Sequence, residues 1–396
     1  MYSSFRTVFR REAKRIVERK TIYLLSIVAP IVLFPFFAYI YSGGVLRNIS
    51  VVICDGDNSE VSRMIIRSIE STSAFRIVDY AQSVDEIRDK FRKGEVQAAF
   101  YIPKNLERDL KAGKPATVVV FNNVTNLIIA NTTLKEASTL IKTISGGVLL
   151  KKLRSKGMQP EQAMNVINPI RIQSQVLYNP NYNYMSFLSM GIIPVVFQML
   201  IMVGGVLLIS SEFTHNTFGE LAAAAGNNAW TVLLGKSLPH LGIHLASALG
   251  ILGIVFPLFG IYGAGSILAT YFLFVLLAMA SLYPAIMISA MFHDQQFATE
   301  VALFFNVPAF IFSGYLFPLW AMPVFHQWFA RTIPYTHFLS GFLKIFRANA
   351  PLSAALPEIL WLCGFILVSA GLTILLIRRE IRKLSPSQCV EGNSAS

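Results

Sequence analysis

The chain has 396 residues, 54% of them hydrophobic and 14% charged, with 30 Phe, a balance that excludes an ordinary soluble globular protein and marks an integral membrane protein. Its formal net charge of +12 raises nucleic acid as a partner. No basic stripe with interleaved aromatics occurs, however, so the charge reads as membrane orientation and lipid-headgroup contact, with no nucleic-acid partner expected. Cys54, Cys363 and Cys389 are far apart, odd in number and without metal-ligand spacing.

Residues 1–20 read as a cytosolic interfacial helix. Phe5, Val8, Phe9, Ala13, Ile16 and Val17 fall on one helical face, and Arg6, Arg10, Arg11, Lys14, Arg15 and Arg19 surround the other; such a helix lies in the headgroup plane. An unstructured basic leader is the competing reading, and the near-helical recurrence of the apolar positions speaks against it. Residues 21–41, with Pro30 and Pro35 inside, form a first span too long for the core of a signal peptide and followed by no A-x-A-like site, hence an uncleaved anchor.

From 42 to 184 the apolar runs shorten and charges of both signs intervene. Strands are expected at 49–54, 75–80, 96–102 and 117–121, with helices at 59–71 and 84–92 between them and one or two longer helices over 125–156. Alternating strands and helices imply a small α/β domain with a mixed or parallel sheet, inserted into the membrane protein on its extracytoplasmic side. Three glycosylation sequons, at Asn48, Asn123 and Asn131, are short enough to recur by chance and carry no weight.

Residues 185–380 are almost continuous membrane. Spans are expected at 187–209, 231–257, 266–292, 299–317 and 358–377, each near the length needed for about 30 Å of hydrocarbon at about 1.5 Å per residue. The fold class expected is thus a polytopic α-helical membrane protein of six spans with an inserted extracytoplasmic α/β domain. Arg378, Arg379, Arg382 and Lys383 close the last span and the connector 258–265 is uncharged, which puts both termini and the tail, 381–396, in the cytosol.

Two segments between spans stand out. In the polar stretch 210–230, Thr217-Phe218-Gly219-Glu220 has capping-box spacing, so a short helix is expected from 218 to 225, stopped by Gly226 and followed by a new N-cap at Asn227 or Asn228. About two turns of Ala-rich helix need support from neighbouring spans or a partner. Over 318–346, Trp320, Phe325, Trp328, Phe329, Phe338, Phe342 and Phe346 are punctuated by Pro318, Pro323 and Pro334. An outer re-entrant or interfacial pair of short helices accounts for that better than a loop.

No chemistry of its own is visible. Gly235-Lys236-Ser237 ends like a phosphate-binding loop, but Trp230 stands where the pattern needs Gly. His240 and His244 are one turn apart with no third ligand, which fits a satisfied intramembrane polar pair better than a metal site. The spans hold essentially no mid-membrane carboxylate, since Glu300 and Glu358 sit at span ends, and this counts against an ion-driven carrier.

The whole arrangement resembles the permease subunits of ATP-binding cassette exporters of the type-2 family, in the branch with a large external domain. The residues that carry the resemblance are Gly94-Glu95-Val96-Gln97-Ala98-Ala99 with Ile102-Pro103, Tyr178-Asn179-Pro180, and Glu212 with Thr217, Glu220 and Leu221. Leu234-Gly235-Lys236 with Leu238-Pro239, Ser313-Gly314, Phe317-Pro318, Met322-Pro323 and Ile333-Pro334 complete the set. Two positions depart from the pattern: Asn216-Thr217 stands for Gly-Thr, and Ala224-Ala225 for Thr-Pro. The resemblance implies that the short cytosolic helix is the coupling helix, with Glu212, Thr217, Glu220 and Leu221 as its contact residues, and that Gly314, Pro318, Trp320 and Trp328 belong to the outer exit.

It further implies a multi-pass protein of a bacterial inner membrane that is not itself an enzyme. No cofactor is expected in this chain, ATP and Mg being held by a separate ATPase subunit. The other partners implied are a second permease copy or paralogue, membrane lipids and, in some relatives, a periplasmic adaptor. The expected function is export of amphiphilic, drug-like or lipid-like molecules, because the spans offer aromatic and Met-rich surfaces and few charges. A membrane-anchored envelope receptor or scaffold whose external domain binds a ligand is the alternative from another class; one anchor span would suffice for it.

Overall fold

The computed structural model describes residues 2–168, 175–179 and 181–384. Pro180 of the Tyr-Asn-Pro motif, Cys389 and the tail from 385 lie outside the described residues. The N-terminal helix α1 (Tyr2–Glu18) forms as its periodicity predicts, but its buried stripe differs from the apolar face read from the sequence. Val8, Glu12, Arg15 and Ile16 are buried and Val17 is exposed. The spacing of 4, 3 and 1 keeps those four on one side of the helix, and two of them are charged. The chain breaks at Arg19, whose backbone is extended, and resumes as the first apolar helix, α2 (Lys20–Ile40). A π-helical turn at Leu24–Val28 lies just before Pro30. The same pairing of a π turn, Ile251–Val255, with Pro257 recurs later, a widened turn adjoining the place where proline removes a ladder donor.

The chain divides into two compact units, one made of its ends up to Gly44 and from Leu177 onward, the other of Val45–Val176. The smaller unit holds a four-stranded mixed sheet of order β2-β1-β3-β4. Strand β1 (Ile49–Asp55) is followed by α3 (Glu60–Ser71), N-capped by Ser59, then β2 (Phe75–Tyr80), α4 (Val84–Arg92), β3 (Ala98–Ile102), α5 (Leu106–Lys111) and β4 (Val119–Asn122). β1 is parallel to both β2 and β3, with Val51 opposite Ala98, and β4 runs antiparallel to β3. Of the two sheet types left open by the sequence, the mixed one is present. β1 is apolar along its length because both faces are covered: Val51 and Ile53 join Ile65, Ile69 and Phe100, while Val52 and Cys54 join Ile87 and Val96. The stretch after β4 is one long helix, α6 (Leu127–Ser155), capped by Asn126, and then α7 (Pro160–Ile167).

In the larger unit α8 (Tyr184–Thr214) runs five residues beyond its expected end, so Ser210 to Thr214 are helical. The short helix α9 (Phe218–Ala224) stops as expected at Gly226 and Asn227, both with left-handed backbone. Asn228 accepts from the amides of Trp230 and Thr231 and starts α10 (Ala229–Leu258). After α11 (Ile267–Met291) the expected span at 299–317 is not one helix. It is α12 (Gln295–Asn306) and α13 (Ala309–Phe312), because Pro308 supplies no amide to continue the ladder. The segment 318–346 contains α14 (Val324–Arg331) and α15 (Pro334–Phe342), and α16 (Leu352–Leu384) ends the described chain. Among the described residues five helices, α2, α8, α10, α11 and α16, are long and apolar enough to cross a membrane.

The aromatic residues of 318–346 part company. Trp320, Phe325 and Trp328 are exposed. Phe338, Phe342 and Phe346 stack in series at 5.5 and 5.0 Å inside the bundle, with Phe274 of α11 edge-on to Phe338 at 4.9 Å.

Candidate functional site

The strongest concentration of polar chemistry lies where α1, the end of α8 and the first turns of α10 meet. α8 brings Glu212 there, α1 brings Glu12, Arg15 and Arg11, and α10 brings Lys236 and His240, which share a face at i, i+4. Glu212, Glu12, Lys236 and His240 are all buried. The Lys236 ammonium bridges the two carboxylates, 2.6 Å from Glu212 Oε1 and 2.7 Å from Glu12 Oε2. Arg15 pairs with Glu212 Oε1, and the Arg11 guanidinium approaches Glu212 Oε2 at 3.1 Å. His240 Nε2 lies 3.0 Å from the other Glu12 oxygen. With the Thr217 hydroxyl also donating to Oε2, both Glu212 oxygens are doubly engaged, which a buried carboxylate requires if its lost hydration is to be offset.

Burial by itself would raise the Glu12 carboxyl, yet Lys236, His240 and Arg15 together hold it well below the usual carboxylate range. Glycine lets the helices come this close. A Cβ at Gly235 would lie 2.6 Å from Val8 Cγ1, so the Gly-Lys pair that mimics a phosphate loop works in packing: Gly235 admits α1 and Lys236 bonds to it.

The four residues expected to contact an ATPase divide. Glu212 is the buried hub just described. Thr217 does not cap α9: its backbone is away from cap geometry and its hydroxyl donates to Glu212 Oε2. The capping box is therefore absent, because a buried carboxylate outcompetes the N3 amide for the hydroxyl. The turn is held instead by the Thr217 amide on the Glu212 carbonyl, 2.8 Å. Leu221 is buried with Phe218, Ala222 and Ala225 against the rest of the chain. Glu220 alone projects outward, its side chain 76% exposed and 3.9 Å from Arg11. Gly219, Ala223, Gly226 and Asn227 are exposed beside it.

At the other segment, Gly314 has φ of +83° and packs under Leu319, and Pro318 leads into the single 3-10 turn Leu319–Ala321. Trp320 is 82% exposed, and Trp328 carries the Arg331 guanidinium 5.0 Å above its ring. Glu12, Arg15, Lys236 and His240 were not singled out from the sequence as site residues. A usable signal was Lys236 itself, a lone charge inside an apolar helix that must find a partner. His240 and His244 do not satisfy one another: the first is held by Glu12, and the second packs edge-on to Phe197 at 6.3 Å. Among the described residues no cluster of three His, Cys, Asp or Glu could hold a metal. The cluster ties three segments of the chain, α1, α8 and α10, together by charge.

A family model described as ABC-2 family transporter protein matches residues 20–375. The chain belongs to the ABC-2 transporter family. Similar proteins include two from Escherichia coli K12. The probable multidrug ABC transporter permease YbhR is 24% identical over 364 residues, 91% of this chain and 93% of the relative. The probable multidrug ABC transporter permease YbhS is 22% identical over 378 residues, 94% and 96%. ABC transporter G family member 20 of Dictyostelium discoideum is 22% identical over 337 residues, 83% of this chain and 44% of the relative. As an ABC-2 permease this chain is a multi-pass membrane protein of the permease class. The family match takes in Glu212, Lys236 and His240 and begins after α1, so the helix that supplies Glu12 and Arg15 lies outside it.

Proposed function

We propose that this chain is the membrane-spanning permease subunit of an ATP-driven exporter that moves amphiphilic small molecules out of the cytosol or inner leaflet of a bacterial inner membrane. Two copies, or one with a paralogue, work with a separate subunit that binds and hydrolyses ATP with Mg, and a periplasmic adaptor is a further partner. In this reading there are six spans, counting α12 and α13 as one broken crossing. Both termini are cytosolic and the α/β unit is external.

The observation that carries the reading is the pairing of an outward Glu220 on α9 with a buried charge joint immediately behind it. A short helix whose inner face is Phe218, Leu221, Ala222 and Ala225 has few ways to move by itself. A push on its exposed face passes through Thr217 and Glu212 to α1 and α10 together, which is what a coupling element needs. An anchor for a receptor has no use for such a joint. The test is co-purification with an ATPase in mild detergent, followed by cargo-stimulated ATP hydrolysis in three variants. Ala223→Pro breaks the ladder of α9, a cost of about 3 kcal/mol, and should abolish stimulation in a properly inserted protein. Glu220→Ala should weaken it by about 1.5–3 kcal/mol of lost charge-assisted contact. Trp320→Ala should reduce export and leave ATPase association intact. Wild-type stimulation in the Pro variant would remove α9 as the coupling element.

A further inference from the structure

A cavity of about 440 Å³ lies within the larger unit between α8, α11, α12, α16 and the turn before α15, within the range of small-molecule sites. Met202, Met287, Phe305, Trp361 and Phe365 form its apolar wall. The polar groups on it are few. Ser369 donates to the Phe365 carbonyl of its own helix and Thr332 to that of Phe329, so the proton of each hydroxyl is already committed. Gln198 differs. Buried on α8, it donates from Nε2 to Asn306 Oδ1 of α12 at 3.2 Å, and this leaves Gln198 Oε1 and Asn306 Nδ2, both buried, without partners among the described residues. Gln198 lines the apolar chamber, Asn306 stands behind it, and no charged side chain is part of the lining; whichever way the amides are turned, Gln198 keeps hydrogen-bonding capacity that Asn306 does not meet.

We propose that this chamber is a binding site for a neutral amphiphile: an alkyl or aryl body of modest size with one uncharged head, an amide or hydroxyl, that hydrogen-bonds to the Gln198 amide. The apolar wall takes the body, and the unmet hydrogen-bonding capacity selects the head, since a buried amide left unpaired disfavours an occupant unable to engage it. An ammonium or carboxylate head would enter uncompensated and is rejected. The inference deepens the exporter reading, on which its description as a cargo site rests.

The full chain in lipid nanodiscs, without ATPase or ATP, is photolabelled with dodecanamide carrying a mid-chain diazirine, and adducts are mapped by mass spectrometry. Competitors are dodecanamide, dodecane and dodecylammonium. Saturable labelling of the cavity face of α16, between Trp361 and Leu372, and of Met287 is expected. Dodecanamide should compete about tenfold more strongly than either analogue, the equivalent of one hydrogen bond of about 1.4 kcal/mol. Gln198→Leu should erase that preference while leaving labelling by the tail. Gly364 lines the cavity with open space where a Cβ would stand, so Gly364→Leu, which fills the chamber and favours the helix, should remove labelling altogether. Labelling that is unsaturable and even over all lipid-facing helices, or equal competition by dodecane, would overturn the proposal, the chamber then being space for bulk lipid chains. Saturable binding with no export would keep the site and remove the exporter reading. Export with unsaturable labelling would remove the site alone.

Discussion

Lys236 gives the sharpest test of the charge joint. Its ammonium is buried and lies 2.6 and 2.7 Å from two carboxylates, so Lys236→Met removes one charge and leaves Glu12 and Glu212 to Arg15, Arg11 and His240. Breaking a buried ion pair from one side costs about 3–5 kcal/mol, since the other charge stays buried without full compensation. α1 is the segment free to leave, because the extended backbone at Arg19 separates it from α2. At about 1.4 kcal/mol per factor of ten, its undocked population should rise by about two to three and a half orders of magnitude. The assay is thiol labelling at Val8→Cys, a buried position against Gly235, in a background with Cys54, Cys363 and Cys389 replaced by Ser. The labelling rate should rise in proportion, and adding Glu12→Gln, which removes the orphaned carboxylate, should recover part of the loss. A rate within about threefold of the parent in a folded Lys236→Met protein would refute the reasoning, since it would mean that apolar contacts alone dock α1.

Other outcomes follow from the same contacts. Gly235→Ala puts a methyl 2.6 Å from Val8 Cγ1, an overpacking cost of about 1–3 kcal/mol, measurable as a lower midpoint of thermal unfolding in detergent; Val8→Ala should restore part of it. Thr217→Ala should cost about 1.5–3 kcal/mol as the loss of a hydrogen bond to a buried carboxylate, and Thr217→Ser should be near neutral, whereas a simple cap at α9 would be equally well replaced by Asn or Asp. Because the Glu12 carboxyl is held below its ordinary range in the folded protein, its contribution is fully present above pH of about 4.5 and is lost as pH falls from there toward the folded value. Thermal stability should therefore be flat with respect to Glu12 from pH 8 to 5 and fall in acid, and Glu12→Gln should flatten the acid limb. For topology, an impermeant thiol reagent applied outside intact cells should label a cysteine placed within 60–110 and not one at Ala223.

By itself the sequence determined the class of protein, the positions of five long apolar helices though not the break at Pro308 in an expected sixth, the alternation of strands and helices between β1 and β4, and the stop at Gly226 with the cap at Asn228. These are local properties: an apolar run long enough to span, a period of 2 or 3.6, a residue that tolerates a left-handed backbone. It also carried the family, through short motifs in the right order.

What the tertiary structure decided lay in contacts between residues far apart in the chain. Arg15 and Glu212 are separated by 197 positions, Glu12 and His240 by 228. A charge on an amphipathic helix reads the same in sequence whether it faces water or a buried partner, so only the fold shows that Glu12 and Arg15 share the inward side of α1 with Val8 and Ile16. Thr217 offered the spacing of a capping box, and only the fold placed a carboxylate near enough to take its hydroxyl. The aromatic residues of 318–346 formed one set in sequence, and packing divided them into an exposed group around Trp320 and a stack around Phe342. Periodicity reports which residues share a face, and the free energy of burying that face depends on what the rest of the chain brings to meet it.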